Sequence, residues 1–580
     1  MTTEELPIPA DDSSPPDLDP ATVDGPRTVG RVIAEALRAA GVRYAFTVPG
    51  ESFLGLLEGL AAAGIRVIAA RHEGAAAFMA EAHGQLTGRP AAVIGTRAVG
   101  AANMSIGIHT AFADSTPMFV LVGGVDRPFR GREAFQEVDQ VATFGALAKW
   151  AVELDAAGDV AATMEIAVAH ALGGRPGPVL ISMPEDLLDE IVPGGAIAIT
   201  RPSRRAGVSD DQVRGVLQLL ASAERPVILA GGGVLRARCS NDLLRLAELL
   251  HVPVVAAWRR GDVVPNDNPL YLGMTGYGSP AVLRERLARA DAMLVIGCRL
   301  NEIASHQWTI PAAVTRWAHV DIAPARPSPT LSAADITVEA DAKVFLRAAV
   351  SRLEKSVLLA GLVAARDEHN DHDRAAWEAA TVVDQAPWDG PGVHPGRVIA
   401  ALGRVLPETA ILTTDAGSFA GWAARGYRFR RPGTFLGPTS GAMGYGLPAA
   451  IAAALVHRDR PVVALTGDGG MGMTLAELET AVREGAKVIA VVFDNQQYAM
   501  IRRYQDARPG AAAIATDLGP IDFAAVARAQ GARGIRVETD AAFEPALRQA
   551  LSHDGPTLLH LIVDRRWNSV DLAATGPADA

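Results

Sequence analysis

The segment Pro461-Val-Val-Ala-Leu-Thr-Gly-Asp-Gly-Gly-Met-Gly-Met-Thr-Leu-Ala-Glu-Leu-Glu-Thr480, with Val491-Val-Phe-Asp-Asn-Gln-Gln-Tyr498 after it, decides the fold of this chain. An apolar run ends in a glycine-flanked aspartate, a helix-like stretch follows, and a second apolar run ends in an Asp-Asn pair. Short apolar runs bounded by glycine are typical of buried strands in a parallel sheet. The segment therefore predicts a strand-loop-helix-strand unit of an α/β domain.

The loop after the first strand has the residues that let a backbone bind an anion closely. Its glycines allow the chain to turn and to approach a ligand, and the free N–H groups of the following helix point at the same place. A diphosphate suits such a site. The glycines are Gly467, Gly469, Gly470 and Gly472.

A diphosphate at this loop would need a hard cation between its oxygens and the protein. Mg²⁺ takes about six oxygen ligands at about 2.1 Å, few of them from protein. Asp468 and Asn495, 27 positions apart, can supply two, and the main-chain carbonyl of Gln497 can supply a third because the chain leaves its strand there. Gly-Asp-Gly followed by a spaced Asn resembles the signature of thiamine-diphosphate enzymes, which implies thiamine diphosphate and Mg²⁺ as cofactors. The alternative is a tight turn in an ordinary α/β domain.

The resemblance implies a carboxyl group against N1′ of the aminopyrimidine, supplied by a different domain. The segment Arg66-Val-Ile-Ala-Ala-Arg-His-Glu73-Gly-Ala-Ala offers one, because a short apolar strand leads into His-Glu and an Ala-rich helix. It resembles the Arg-His-Glu-x-x-Ala pattern of the acetolactate synthase-like group. Glu73 is therefore the candidate for the activating acid. A carboxylate that merely caps or solvates a helix start is the alternative, which would suit Glu81 better.

The same resemblance assigns cofactor and substrate contacts to several loops. Ser440-Gly-Ala-Met443-Gly-Tyr-Gly matches the loop that holds the cofactor bent, with the Gly441 carbonyl accepting from the 4′-amino group and Met443 as an apolar wedge between the rings. Methionine is otherwise a common core filler. The remaining assignments are Gly417 and Ser418 in the phosphate-side loop, Gln136 of Ala134-Phe-Gln-Glu137 as a catalytic residue, and Tyr498 on the acceptor side.

Two loops of the first predicted domain depart from the family pattern. Acetolactate synthases resembling this chain read Pro-Gly-Gly where it reads Pro49-Gly50-Glu51, and the loop Thr96-Arg-Ala-Val-Gly100 lacks the usual Gly-Pro. The family position implies that Glu51 is a second, desolvated catalytic carboxyl, which donates a proton and repels a carboxylate acceptor. We therefore expect aldehyde or proton acceptors to be favoured over a second 2-oxo acid. The alternative is that Glu51 caps a helix beginning at Ser52.

The sequence predicts three α/β domains, each built on a doubly wound parallel sheet. An Arg-Pro-strand-Gly pattern recurs at Arg89, Arg225 and Arg460, as expected for three related layers. Ligands should lie beyond the carboxyl ends of the strands. The predicted organisation is a disordered leader over residues 1–26, a pyrimidine-binding domain over 27–195, a central domain over 205–353, a linker over 354–393, and a domain for thiamine diphosphate and Mg²⁺ over 394–570.

Composition favours a cytoplasmic enzyme. The 580 residues carry a formal net charge of −11 without a basic run, which argues against nucleic acid or an anionic membrane as the main partner. No apolar stretch reaches the roughly 18 residues of a membrane span, and the leader has neither a basic start nor an apolar core. Two distant cysteines, Cys239 and Cys298, fit a reducing compartment.

The resemblance implies an enzyme that cleaves a C–C bond next to a carbonyl and transfers one fragment to an acceptor. A 2-oxo acid such as pyruvate is the expected donor, as in acetolactate synthase. A carboligase or decarboxylase of benzaldehyde-lyase or sulfoacetaldehyde type is one alternative, and a cofactor-binding protein without turnover is a remote one. In the family the glutamate and the diphosphate site meet across a subunit interface, which implies a homodimer or homotetramer.

The central domain leaves its ligand open. Acetolactate synthases hold a structural FAD here, and Gly231-Gly-Gly233, Gly297-Cys-Arg299 and Val320-Asp321-Ile keep parts of that pattern. Leu300-Asn301-Glu302 stands where basic and acidic residues are expected. A glycine-rich loop alone is weak evidence for a nucleotide. FAD, ADP and an empty domain therefore all stay open, as do the individual substrates and a regulatory subunit.

Overall fold

The computed structural model describes residues 26–192, 199–200, 207–324, 331–355, 360–510 and 512–573. The predicted leader up to residue 25, and most of the predicted boundary around residues 193–206, lie outside the described residues. Three parallel sheets of six strands each are flanked by helices, so the predicted α/β class is confirmed. None of the described helices is both long and apolar enough to cross a membrane.

The first sheet has the strand order β2-β1-β3-β4-β6-β5. Helix α1 follows local capping rules, because Thr28 accepts the N–H of Arg31 at its start and Gly41 ends it with a left-handed φ of 103°. The strands are β1 (Tyr44–Thr47), β2 (Arg66–Ala69), β3 (Ala91–Thr96), β4 (Met118–Gly123), β5 (Trp150–Glu153) and β6 (Pro178–Met183), and the helices are α1 (Val29–Ala40), α2 (Leu54–Ala62), α3 (Glu73–Thr87), α4 (Arg97–Asp114), α5 (Gln140–Phe144) and α6 (Val160–Leu172).

The central sheet has a different order, β9-β8-β7-β10-β11-β12. Numbered from its own first strand this is 3-2-1-4-5-6, the order of dinucleotide-binding folds. Its strands are β7 (Val227–Ala230), β8 (Val254–Ala256), β9 (Tyr271–Met274), β10 (Ala292–Ile296), β11 (Arg316–Asp321) and β12 (Ile336–Glu339), and its helices are α7 (Asp210–Ala221), α8 (Gly232–Ala237), α9 (Ser240–Leu250), α10 (Ala281–Ala288) and α11 (Ala342–Glu354). The predicted linker contains α12 (Ala360–Ala380), which packs against α10 and β9.

The third sheet, β14-β13-β15-β16-β18-β17, repeats the relative order of the first. Its strands are β13 (Ile411–Thr414), β14 (Phe435–Leu436), β15 (Val462–Gly467), β16 (Val488–Asp494), β17 (Arg533–Val537) and β18 (Thr557–Ile562), and its helices are α13 (Pro395–Val405), α14 (Ser418–Gly426), α15 (Gly446–Val456), α16 (Asp468–Thr474), α17 (Glu477–Arg483), α18 (Ala499–Asp506), α19 (Phe523–Ala529) and α20 (Asp540–Leu551). The Ala-rich α15 is buried over nearly its whole length and packs against α3 of the first domain.

A buried polar junction connects all three domains. The carboxylate of Glu81, on α3, accepts from the Tyr445 hydroxyl at 2.6 Å and from Thr116 at 2.7 Å. Asp114, at the end of α4, forms an ion pair with Arg260 of the central domain. Burial, with a smaller contribution from the Asp114 charge, raises the pKa of Glu81 to about 7. The network is satisfied only when the three domains are in contact.

Candidate active site

Asp468 and Asn495 lie at the carboxyl ends of two neighbouring strands, β15 and β16. β15 pairs with β16 in a register that places Gly467 opposite Phe493, so the residue after each strand faces the same edge. Both side chains are buried. The Asp468 Oδ1 atom accepts the N–H of Gly469 at 2.9 Å, whereas its buried Oδ2 atom has no hydrogen-bond partner among the described residues.

The charge around Asp468 favours a cation. Burial, with a smaller contribution from the neighbouring Asp494 carboxylate, raises the pKa of Asp468 to about 7. Asp494 itself accepts from the His560 ring at 2.8 Å and from the Gln496 N–H at 3.1 Å. Two buried carboxylates beside an amide oxygen form the hard oxygen set that Mg²⁺ prefers.

The Gln497 carbonyl also lies at this edge. It accepts one hydrogen bond, from the N–H of Ala499 at 2.9 Å, which leaves its second lone pair available. Gln496 before it has a left-handed φ of 53°, and the Tyr498 N–H donates to Thr516 at 2.8 Å. The chain is thus turned out of β16 and held by a neighbouring loop, as the sequence predicted for this carbonyl.

The residues predicted to contact the cofactor rings converge above the glycine loop. A Cβ atom on Gly469 would lie 2.6 Å from the Tyr498 ring and 3.2 Å from the Met443 methyl, so only glycine fits between them. Gly441 has a left-handed φ of 72° and open space where a side chain would stand. The predicted loop at Gly467–Gly470 is instead the end of β15 and the first turn of α16, and the Ser440–Met443 loop approaches it and leaves a gap beside it.

Asp415 supports these loops from within. Its buried carboxylate accepts the Gly446 N–H at 2.5 Å and the Thr466 hydroxyl at 2.6 Å, and a Cβ atom on Gly470 would lie 2.3 Å from it. After it come Gly417, whose added Cβ would meet the Phe419 ring at 2.4 Å, and Ser418, which begins α14. We assign Asp415 a structural role, which its place in the sequence motif did not reveal.

The predicted catalytic residues of the first domain gather at the start of α4. Glu73 begins α3, is buried, and accepts from the Asn103 amide at 2.9 Å. Glu51 forms an ion pair with Arg97 at 2.9 Å. The Gln136 carbonyl accepts the N–H of Ala98 at 3.2 Å. One helix end therefore brings together three residues that are separated by up to 85 positions.

Three expectations about this group need correction. The stretch from Arg97 to Gly100 is the first turn of α4 and not a loop. No α-helix begins at Ser52, because Glu51–Phe53 forms a 3₁₀ turn and α2 begins at Leu54. The Glu51 side chain is 54% exposed in the single chain, so the chain alone does not desolvate it.

Family comparisons agree with this geometry. The model described as "Thiamine pyrophosphate enzyme, N-terminal TPP binding domain" matches residues 27–143, the central-domain model matches 213–349, and the C-terminal TPP-binding model matches 415–561. The chain is 31% identical to the probable acetolactate synthase large subunit of Methanocaldococcus jannaschii, over 92% of this chain and 91% of that protein. The chain belongs to the thiamine-diphosphate-dependent, acetolactate synthase-like enzymes.

Other relatives of this thiamine-diphosphate enzyme cover the chain equally well. The catabolic acetolactate synthase of Raoultella terrigena is 31% identical over 93% of this chain and 95% of its own length. Acetolactate synthase isozyme 2 large subunit of Escherichia coli is 29% identical over 94% of this chain and 98% of its own. Because the chain belongs to this enzyme family, two alternatives are excluded: a tight turn in an ordinary α/β domain, and a cofactor-binding protein without turnover.

Glu477 is a site residue of this thiamine-diphosphate enzyme that the sequence did not indicate. It is fully buried on α17 of the third domain and accepts the main-chain N–H groups of Arg71 at 3.0 Å and His72 at 3.1 Å. The Thr480 hydroxyl donates to it at 2.7 Å. Burial raises its pKa, and these donors oppose the shift. Glu477 therefore fixes the backbone immediately before Glu73.

The central domain of this thiamine-diphosphate enzyme has a cleft against the first domain, lined by Asp114 and Arg175 of the first domain and by Gly231, Gly297 and Asp321 of the central domain. Cβ atoms on Gly231 and Gly233 would lie 2.3 and 2.7 Å from the backbone of Gly297, so packing within the domain accounts for these glycines. The Arg299 guanidinium donates to the Ala113 carbonyl at 2.9 Å and to that of Phe112 at 3.0 Å.

Proposed function

We propose that the chain binds thiamine diphosphate through Mg²⁺ held by Asp468, Asn495 and the main-chain carbonyl of Gln497. The observation that carries this proposal is the buried Oδ2 atom of Asp468, which lacks a donor within the described part of the chain although Asp494 adds a second negative charge beside it. A divalent cation would satisfy both carboxylates without a proton. When bound, thiamine diphosphate supplies the electron sink for C–C cleavage next to a carbonyl.

We assign the remaining cofactor contacts to the segments that surround this metal position. The N–H groups of the Gly467–Gly470 turn and of the Gly417–Ser418 turn would hold the diphosphate, because both lie at carboxyl ends of neighbouring strands. Met443 and Tyr498 would contact the cofactor rings, since both side chains lie next to Gly469. The Gly441 carbonyl would accept from the 4′-amino group.

Glu73 would act on the cofactor held by a second copy of the chain. Within one chain, the loop beginning at Ser440 contacts Thr110 of α4 at 2.9 Å, whereas Glu73 accepts from Asn103 of the same helix. Asn103 and Thr110 are seven positions apart, which corresponds to a rise of about 10 Å along an α-helix. Glu73 and the Ser440–Met443 loop of one chain are therefore separated along α4.

The exposed side of α4 supports this assembly. Val99 and Ile106 are 47% and 43% exposed and lie seven positions apart, so they form a short apolar stripe on the face of α4 that also carries Asn103, the hydrogen-bond donor to Glu73. A second copy packed on this stripe would bring its own metal site toward Glu73. We propose a homodimer or homotetramer with active sites at the subunit interface.

The proposed reaction uses a 2-oxo acid such as pyruvate as donor, in the manner of the acetolactate synthases that the chain resembles. Glu73 would hold a proton at the pyrimidine N1′ position, and Gln136 and Glu51 would face the reacting carbon from the same helix end. Glu51 favours a second candidate, a carboligase or decarboxylase that uses aldehyde or proton acceptors, because it adds a carboxylate where the relatives have glycine. Buried, free Cys239 and Cys298 are compatible with the cytoplasmic location that we propose.

A substrate screen tests the reaction. Purified protein with thiamine diphosphate and Mg²⁺ is given 2-oxo acids and aldehydes, and CO₂ release and ketone formation are followed together. Acetolactate from pyruvate is the expected result. Aldehyde ligation without any turnover of 2-oxo acids would contradict the proposed donor and support the second candidate. Absorbance near the flavin bands of the same preparation tests FAD.

Mixing two inactive variants tests the shared site. Glu73→Gln and Asp468→Ala chains are purified separately, mixed, and allowed to exchange subunits. A hybrid dimer has one site with both residues intact, so random mixing should restore about a quarter of the wild-type sites. No recovery, with hybrids verified by mass spectrometry, would place Glu73 and Asp468 in the same chain's site.

A further inference from the structure

We propose that Arg97 is a positioning residue that sets the charge which the acceptor substrate meets, by holding Glu51 in an ion pair beside the active site. The inference rests on the proposed function, because it assumes a reaction at the start of α4. Arg97 lies between Glu51 at 2.9 Å and Glu185 at 2.8 Å, and its side chain is 12% exposed. The Arg97 guanidinium thus forms ion pairs with two carboxylates.

The backbone at Arg97 indicates that this placement is maintained against a conformational cost. Its φ is 41°, in the left-handed region that residues with a Cβ atom avoid. Such a conformation costs on the order of 1–3 kcal/mol and persists where the surroundings determine it. Strain of this kind is often found at functional sites, and here it occurs in the first residue of the helix that supports Glu73.

Arg97 also contacts the loop that carries Gln136. The guanidinium carbon lies 5.7 Å from the centre of the exposed Phe135 ring, and the next residue, Ala98, donates its N–H to the Gln136 carbonyl. Thr96, just before Arg97, bonds to Ser52 at 2.5 Å. The segment around Arg97 therefore connects both other candidate residues to the helix that binds Glu73 through Asn103.

The charge of this cluster changes the expectation for Glu51. An isolated Glu51 would repel a carboxylate acceptor, but the ion pair with Arg97 compensates that charge. Glu51, Arg97 and Glu185 together carry a net charge of −1. Removing the charge of Glu51 gives 0, removing that of Arg97 gives −2, and removing both returns the cluster to −1. We infer that acceptance of an anionic 2-oxo acid follows this series.

Product ratios from pyruvate test the series in the full-length enzyme with thiamine diphosphate and Mg²⁺. The ratio of acetolactate to aldehyde-derived product should rise at least about fivefold in Glu51→Gln and fall at least about fivefold in Arg97→Gln, as expected for one unit charge at short range in a protein. The double variant should return to within about twofold of wild type. Arg97→Lys keeps the charge and should remain near wild type.

A matched control comes from the same domain. Arg127 also bridges two carboxylates, Asp186 and Glu190, but it contacts none of the three candidate catalytic residues. Arg127→Gln should therefore leave the product ratio unchanged, although it removes a similar ion pair. Binding of oxamate, an unreactive isostere of pyruvate, gives a readout independent of turnover. Its affinity should be highest in Glu51→Gln and lowest in Arg97→Gln.

The outcomes distinguish failure of the proposed function from failure of the proposed role of Arg97. A wild-type enzyme that turns over no 2-oxo acid overturns the proposed function and this inference together. Turnover with a ratio that stays flat across the series, or a double variant as poor as Arg97→Gln, overturns the role of Arg97 alone. If Arg97→Gln does not fold, the Glu51→Gln and Arg97→Lys results still decide, because Glu51→Gln leaves the strained position unchanged and Arg97→Lys keeps its positive charge.

Discussion

Replacement of Glu477 should reveal how the third domain positions the candidate acid of the first. The Glu477 carboxylate accepts the N–H groups of the two residues immediately before Glu73, and it is fully buried. Hydrogen bonds to a charged group contribute about 1.5–3 kcal/mol and neutral ones about 0.5–1.5 kcal/mol. Glu477→Gln keeps an acceptor oxygen but removes the charge, so two weakened bonds should cost about 2 kcal/mol in total.

Glu477→Ala should be more damaging, because it leaves two buried N–H groups without an acceptor. Each unsatisfied group costs about 1–3 kcal/mol, which gives about 4 kcal/mol for the pair. Glu479→Gln is the matched control, since Glu479 lies on the same helix and binds only side chains, those of Arg71 and Arg483. Exposed ion pairs of this kind contribute about 0–1 kcal/mol.

The assay combines thermal unfolding with proton exchange at C2 of bound thiamine diphosphate. The unfolding temperature should decrease from wild type and Glu479→Gln to Glu477→Gln and then to Glu477→Ala. Exchange should slow in both Glu477 variants, because the backbone before Glu73 is released. Glu477→Gln with normal exchange and an unchanged unfolding temperature would refute the reasoning, since both readouts depend on the same two hydrogen bonds.

Three further predictions follow from the site and the domain junction. Asp468→Ala should abolish binding of thiamine diphosphate with Mg²⁺ in calorimetry while Asp506→Ala, on an exposed helix, binds normally; equal affinities would refute the metal assignment. Glu73→Gln should keep cofactor affinity and slow C2 exchange about 10²–10⁴-fold, and exchange at the wild-type rate would exclude Glu73 from activation. The pKa of Glu81 is raised from 4.5 to about 7 in the folded state, so its contribution to stability is present below pH 4.5 and is lost as pH rises to about 7. Glu81→Gln should therefore flatten this part of the curve of unfolding temperature against pH. A variant curve identical to that of the wild type would contradict the prediction.

Local sequence was sufficient to predict the strand ends that carry the metal candidates. An apolar run followed by Gly-Asp-Gly, and another followed by Asp-Asn, each mark a point where a buried strand stops, and parallel strands stop at one edge. The structure indeed pairs β15 with β16, so that Asp468 and Asn495 both lie at the same edge of the sheet. The start of α3 at Glu73 could be predicted in the same way, because a short apolar run changes to an Ala-rich helical stretch there.

Contacts between distant segments were not predictable in this way. Glu477 binds the N–H of Arg71 across 406 positions of sequence, and the ion pair of Glu51 with Arg97 depends on how a 3₁₀ turn meets the start of α4 after folding. Periodicity reports the face of one element and carries no information on which other element covers it. The exposed state of Glu51 was missed for that reason, and so was the distinct strand order of the central domain.

The junction of Glu81, Tyr445, Asp114 and Arg260 has a mechanical consequence. A hinge between any two domains of one chain would separate a buried carboxylate from its donor, and breaking a buried ion pair in this way costs about 3–5 kcal/mol. The three domains should therefore move as one rigid body. Opening to admit substrate is left to surface segments such as the one around Phe135, or to a shift of one whole chain against another.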